Sequence, residues 1–83
     1  MWYTYILLCE DNSLYTGISN NMEKRFFAHQ NGTGAKYTRS HKPVKIIYSE
    51  EFITKSLALK RELEIKNWTR KKKIEQLGLD VVI

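Results

Sequence analysis

Apolar and polar positions follow two rhythms along this chain, a period of two at the start and a period near 3.6 later. Tyr3-Thr4-Tyr5-Ile6-Leu7-Leu8-Cys9 is rich in aromatic and aliphatic residues and predicts a strand. Glu10-Asp11-Asn12-Ser13 predicts a polar turn, and Leu14-Tyr15-Thr16-Gly17-Ile18 the returning strand of a hairpin. The two-residue period puts Tyr3, Tyr5 and Leu7 on one face of the first strand. It likewise groups Leu14, Thr16 and Ile18 on the second. Gly17 inside a strand marks a bulge or a place that another group approaches closely.

Asn20, with Glu23 three residues later, predicts a capped helix start. Gly32 predicts its left-handed stop, just past Gln30 or Asn31. On that helix Met22 and Phe26 are four apart and point to the core, and Arg25 and His29 share a face in the same way. Residues 32–42 read as a loop closed by Pro43. Residues 44–48 predict a third strand, from which residues 49–52 lead away. Thr54 or Ser56 caps a helix running to about Asn67. Leu59 and Leu63 form its core stripe, with Ala58, Glu62 and Ile65 on a neighbouring stripe. Thr69 caps a final helix carrying Ile74 and Leu77, stopped by Gly78. The apolar tail Val81-Val82-Ile83 has no assigned element. The order β-β-α-β-α-α predicts an α+β fold, a small three-stranded antiparallel sheet flanked by helices.

Composition narrows the class. The 83 residues are 42% hydrophobic and 28% charged, ordinary for a globular chain, and the length predicts one domain over residues 1–83. The longest apolar run, Ile6-Leu7-Leu8-Cys9, has four residues, so no membrane span is expected. Met1-Trp2-Tyr3 lacks the basic start of a secretory signal, and the single Cys9 cannot pair internally. Both features predict a cytoplasmic protein. Cys9, His29 and His41 lack the paired spacings of a structural zinc site.

Charge adds a partner. The net charge is +5, yet residues 1–23 contain Glu10, Asp11 and Glu23 and no Lys or Arg. All 14 basic residues lie further on. A basic face of this kind fits a phosphate backbone. Within residues 32–42, Lys36, Tyr37, Arg39, His41 and Lys42 interleave aromatic and basic side chains, which stack on bases and bind phosphates. Arg70-Lys71-Lys72-Lys73 sits at a helix start, against the helix dipole, a cost that a phosphate partner would offset.

Tyrosine, arginine and carboxylate together suit phosphodiester hydrolysis. A phenol becomes a base when a cation lowers its pKa. A guanidinium forks onto phosphate oxygens, and a carboxylate holds a hard divalent cation. Taken singly, each residue also has an ordinary reading: half-buried strand tyrosines, a solvated arginine, a surface histidine, a solvated helix glutamate.

The ordered series changes that balance. Thr4-Tyr5-Ile6 on the first strand, Tyr15-Thr16-Gly17 on the second, and Arg25 with His29 on the first helix resemble the GIY-YIG nuclease signature. The stretches Gly34-Ala35-Lys36-Tyr37-Thr38-Arg39 and Arg61-Glu62-Leu63-Glu64-Ile65-Lys66 resemble the small stand-alone bacterial members. The likeness spans residues 2–77. It implies the same three-stranded sheet and a metal-dependent endonuclease that cuts DNA, leaving a 3′-hydroxyl and a 5′-phosphate, in repair or recombination. Carried over, Tyr15 activates the water, and Tyr5 supports it or contacts the scissile phosphate. Arg25 stabilises charge on the phosphate, and His29 orients a tyrosine or the phosphate. Gly17 lets the backbone pack closely under the site. Glu62 anchors one Mg²⁺ or Mn²⁺. Glu64 is the alternative, since positions about 200° apart on a helix cannot both face the site. Lys36, Tyr37, Arg39, Lys42 and Lys66 are expected to hold DNA, with RNA as a further possible partner. The alternative function is a weakly catalytic nucleic-acid-binding module of the same fold.

Overall fold

The N-terminal hairpin frames the molecule. In a computed structural model, which describes residues 1–81, β1 (Trp2–Cys9) pairs antiparallel with β2 (Leu14–Ser19). The turn between them closes on Asp11, whose Oδ1 accepts from the Ser13 amide at 3.1 Å and the Ser13 hydroxyl at 2.6 Å. Asn12 takes the left-handed conformation at φ 67°, which asparagine tolerates better than most residues.

β3 (Pro43–Phe52) pairs antiparallel with the other side of β1, giving the order β2-β1-β3. The third strand is longer than the sequence predicts. Residues 49–52 do not lead away; they stay in the sheet opposite Trp2 to Tyr5. β1 starts at Trp2, and its backbone groups there need partners that this extension supplies. Pro43 opens an edge strand, a position sheets allow to proline.

α1 (Met22–Gln30) is capped by Asn21, not Asn20. Asn21 has the extended conformation, and its Oδ1 accepts from the Lys24 amide at 3.1 Å. Ser19 holds that geometry, its Oγ accepting from the Asn21 amide at 3.0 Å. Gly32 takes φ 78° just past the helix, as expected of a stop. The expected loop 32–42 contains a short helix, α2 (Lys36–Ser40). Five residues are too few for a periodic signal, and its cap position is Ala35, which has no side-chain cap bond.

α3 (Lys55–Lys66) is capped by Thr54, and α4 (Arg70–Leu77) by Thr69. Gly78 ends α4 in the left-handed region at φ 64°. The core joins Ile6 of β1 to Ile65, Ile74 and Leu79, with Leu14, Ile47, Trp68 and Val81 packed around them. Residues 82 and 83 of the apolar tail lie outside the described residues.

One expectation about α3 is overturned. Leu59 and Leu63 are 41% and 54% exposed, and the buried stripe is Ala58, Glu62 and Ile65. The Thr4 hydroxyl donates to the Ala58 carbonyl at 2.7 Å, so the helix backbone lies directly on the sheet. Only a small residue fits at that contact, and the leucines are left on the flank. Among the described residues no helix is long and apolar enough to cross a membrane.

Candidate active site

The β1–β2 register sets Tyr5 opposite Gly17 and Leu7 opposite Tyr15. Tyr5, Tyr15 and Gly17 therefore share one face of the sheet. The tyrosine ring centroids are 6.4 Å apart. A Cβ on Gly17 would lie 2.6 Å from the Tyr5 hydroxyl and 3.0 Å from Tyr15 Cε2. Glycine is thus required for both rings to lie as they do.

α1 brings His29 over this face, fully buried. The Tyr5 hydroxyl is 2.8 Å from His29 Nε2, and Thr38 Oγ1 of α2 is 2.8 Å from His29 Nδ1. Thr38 donates its own proton to the Ala35 carbonyl at 3.1 Å. Its oxygen is then left to accept from His29 Nδ1–H. That pattern assigns the tautomer: Nε2 carries the lone pair and accepts from Tyr5. Gly34 closes the pocket from outside, since a Cβ there would fall 2.5 Å from His29 Nδ1 and 2.8 Å from its Cα.

Burial, with the Arg25 charge second, lowers the His29 pKa to about 4, so the ring is neutral at pH 7. Burial pushes the Tyr5 phenol up to about 12, against the pull of the Arg25 guanidinium beside it. The charges of Tyr15 and Glu62 push in the same upward direction as burial, so both lie within electrostatic reach of Tyr5. Arg25 Nε is buried and has no hydrogen-bond partner among the described residues.

Tyr15 lies on the open side. Its ring meets His29 edge-on at 5.0 Å and stacks on Tyr37 at 5.8 Å. Tyr37 in turn stacks on His41 at 4.1 Å, and His41 Nδ1 is 2.5 Å from Asp11 Oδ2. Lys66 Nζ stands 6.0 Å from the Tyr15 ring centroid and 3.4 Å from Glu62 Oε2.

The two glutamates of α3 separate clearly. Glu62 is 9% exposed, on the side of the tyrosines. Glu64 is turned away and bonded to Arg61, which also donates to Glu50 at 2.8 Å. No group of three or more His, Cys, Asp and Glu side chains is gathered for a metal among the described residues. The donor set is one buried carboxylate whose ionic partner is a lysine at 3.4 Å. It fits a hard divalent cation that takes one protein ligand and completes its shell with water and phosphate oxygens.

Tyr5, Tyr15, Gly17, Arg25, His29, Glu62 and Lys66 thus come together, and Tyr37 joins them through Tyr15. Lys36 and Arg39 do not; they line a separate hollow with Gly32, Thr33 and Gly34. The Lys42 backbone carbonyl accepts from the Glu10 amide at 2.8 Å, tying the end of this segment to the hairpin turn. Thr38 and Gly34 are the residues that sequence reasoning missed. Read as loop positions, they carried no periodicity to mark them as partners of His29.

A family model described as the GIY-YIG catalytic domain matches residues 1–75. The UPF0213 protein SSP2268 of Staphylococcus saprophyticus is 55% identical over 76 residues, covering 92% of this chain and 93% of that protein. The UPF0213 protein CPE1444 of Clostridium perfringens is 56% identical over 78 residues, covering 94% and 84%. Among solved structures, the solution structure of the UPF0213 protein BH0048 from Bacillus halodurans aligns with TM-score 0.60 at 38% identity. That alignment covers 94% of this chain and 84% of that one. The protein EF2693 from E. faecalis aligns with TM-score 0.63 at 43% identity, covering 92% and 81%. The match runs through both tyrosine strands, the arginine and histidine helix and the glutamate helix, and the chain belongs to the GIY-YIG nuclease family.

Proposed function

We propose that this chain, as one domain over residues 1–83, is a metal-dependent endonuclease that hydrolyses phosphodiester bonds in DNA, in repair or recombination. The carrying observation is that Tyr5, Tyr15, Arg25, His29 and Glu62 meet at one face from two strands and two helices. Tyr15 is the water activator. It is half-buried in ring contacts with His29 and Tyr37, and Lys66 Nζ sets a positive charge 6.0 Å from its ring centroid. Neutral His29 accepts a hydrogen bond from the Tyr5 hydroxyl and fixes that ring beside Tyr15, so Tyr5 supports the water activator. Arg25 supplies fixed positive charge where the phosphate gains negative charge.

Glu62 would hold Mg²⁺ or Mn²⁺, which when bound supplies Lewis-acid stabilisation of the phosphate oxygens. In the reaction the water oxygen bonds to phosphorus and the P–O3′ bond breaks. A 3′-hydroxyl and a 5′-phosphate result. The test is nicking of plasmid and branched DNA with Mg²⁺ or Mn²⁺, comparing the wild type with Tyr15→Phe and Glu62→Ala. Cleavage abolished by EDTA and by both substitutions is expected. Cleavage that persists in EDTA, or in Glu62→Ala, rejects the metal anchor. DNA binding without cleavage by the wild type favours the weakly catalytic binding module.

A further inference from the structure

β2 fixes where the Tyr15 side chain leaves the backbone. It does not fix the plane of the ring, because the torsion between a tetrahedral carbon and a planar ring is broad. That plane is set by what the ring meets. His29 meets it edge-on at 5.0 Å, and Tyr37 of α2 stacks on it at 5.8 Å with 26° between the rings. Tyr37 is gripped in its turn. His41 stacks on it at 4.1 Å and 16°, and the His41 amide donates to the Tyr37 carbonyl at 3.1 Å.

The hairpin that carries Tyr15 also anchors His41. His41 Nδ1 lies 2.5 Å from Asp11 Oδ2. Asp11 does not swing freely, since its other oxygen accepts from the Ser13 amide and hydroxyl at 3.1 Å and 2.6 Å. Those bonds, and the one to His41, hold its carboxyl down at about 2, so it is an ionised acceptor at neutral pH. The series Asp11, His41, Tyr37 and Tyr15 therefore begins and ends on one hairpin. α2 reaches both tyrosines of the site: Thr38 through His29 to Tyr5, and Tyr37 directly to Tyr15. Tyr37 already stacks on two rings of its own chain, the contact that a base would need.

We infer that Tyr37 is a positioning residue for Tyr15, braced by His41 and Asp11, and not a platform for nucleobases. The brace holds the Tyr15 phenol at the angle from which it meets the water. That consequence rests on the nuclease reading; the brace itself does not.

Single-turnover nicking of plasmid DNA with Mg²⁺, beside anisotropy of a DNA duplex in EDTA, separates the two roles. Tyr37→Ala should slow cleavage on the order of 10²-fold, the cost of a misplaced catalytic group, and leave DNA affinity unchanged. Tyr37→Phe keeps the ring and should recover most of that loss. His41→Ala and Asp11→Asn should slow cleavage in smaller steps. In a Tyr15→Phe background, Tyr37→Ala should cost nothing further, because the group it positions is gone. Affinity lost in place of rate, or a further loss on top of Tyr15→Phe, overturns the inference. NMR of labelled tyrosine and histidine rings reads the brace without any cleavage. His41→Ala and Asp11→Asn should move the Tyr15 ring signals and leave those of His29 in place. Tyr15 signals that stay put in both variants overturn the brace. If the wild type cleaves no DNA, the nuclease reading fails by itself, and the ring signals alone decide.

Discussion

The two halves of the site are built on opposite terms. In the closed half, Tyr5, His29 and Thr38 satisfy one another through two contacts of 2.8 Å. Gly17 and Gly34 give up their Cβ atoms to let them pack. In the open half, Tyr15 is held through ring contacts, and Glu62 is ion-paired with the Lys66 ammonium at 3.4 Å. The closed half is completed by the chain itself before substrate arrives. The open half keeps its phenol and its carboxylate available, so its remaining partners come from outside. Geometry is fixed by one half and chemistry is exposed by the other.

The hardest test of that division is to remove chemistry without touching structure. Tyr15→Phe should lower DNA cleavage on the order of 10²–10⁴-fold, the range for a lost acid–base group, and Glu62→Gln should lower it strongly by removing the charge that would hold the metal. Both should leave the melting temperature nearly unchanged, since each keeps the shape of its side chain. Plasmid cleavage and thermal denaturation on the same preparations read both quantities. A large stability loss in either variant would break the comparison, because the open half would then be structural too.

The reverse substitution belongs to the closed half. In Gly34→Ala the new Cβ meets the His29 Cα at 2.8 Å, and a backbone atom cannot swing aside. The expected loss is about 1–3 kcal/mol by denaturant titration, the range for overpacking. Gly17→Ala meets the far end of the Tyr5 side chain, at 2.6 Å from its hydroxyl. The ring can shift, so stability should fall less and cleavage more than in Gly34→Ala.

Acid probes the same half more gently. The His29 pKa of about 4 lies below the ordinary value near 6.5, so the unfolded chain binds a proton that the folded chain refuses. Stability therefore falls as pH drops from about 6.5 toward 4 and levels off below that. A shift of this size corresponds to about 3 kcal/mol at 1.36 kcal/mol per pKa unit. Denaturation of the wild type and of His29→Gln across this window gives the difference. A wild-type curve parallel to that of His29→Gln would mean that the histidine is not held neutral.

The sequence disclosed these halves unequally. The hairpin was legible because period-two runs flank a polar turn, and the family signature lies on those strands. Arg25 and His29 were legible because a spacing of four fixes a shared helix face. Thr38 and Gly34 were not, because a five-residue helix leaves no periodic trace and His29's partner lies nine positions along the chain. Asn20 and Asn21 are both good caps, and the choice between them fell to Ser19, whose bonds to Asn21 no local rule encodes. Glu62 lies on the buried stripe of α3 and Glu64 on its exposed side, whereas Leu59 and Leu63, expected as the core stripe, are left on the flank.

That failure supplies the smallest expected effect. Along α3 the apolar flank and the site-bearing stripe are neighbours, and pattern alone favours the leucines. Contact favours the other stripe, because Thr4 bonded to the Ala58 carbonyl admits only a methyl group between helix and sheet. Leu59→Gln and Leu63→Gln keep helix propensity nearly constant and give up side chains that are already 41% and 54% exposed. Each should cost about 1 kcal/mol or less, whereas Ile65→Ala, from a fully buried position, should cost about 2–5 kcal/mol. Denaturant titration of the three variants ranks them. A leucine loss equal to that of Ile65 would mean that α3 turns its other stripe inward in solution. Glu62 would then be carried away from Tyr5 and Tyr15, and the open half of the site with it.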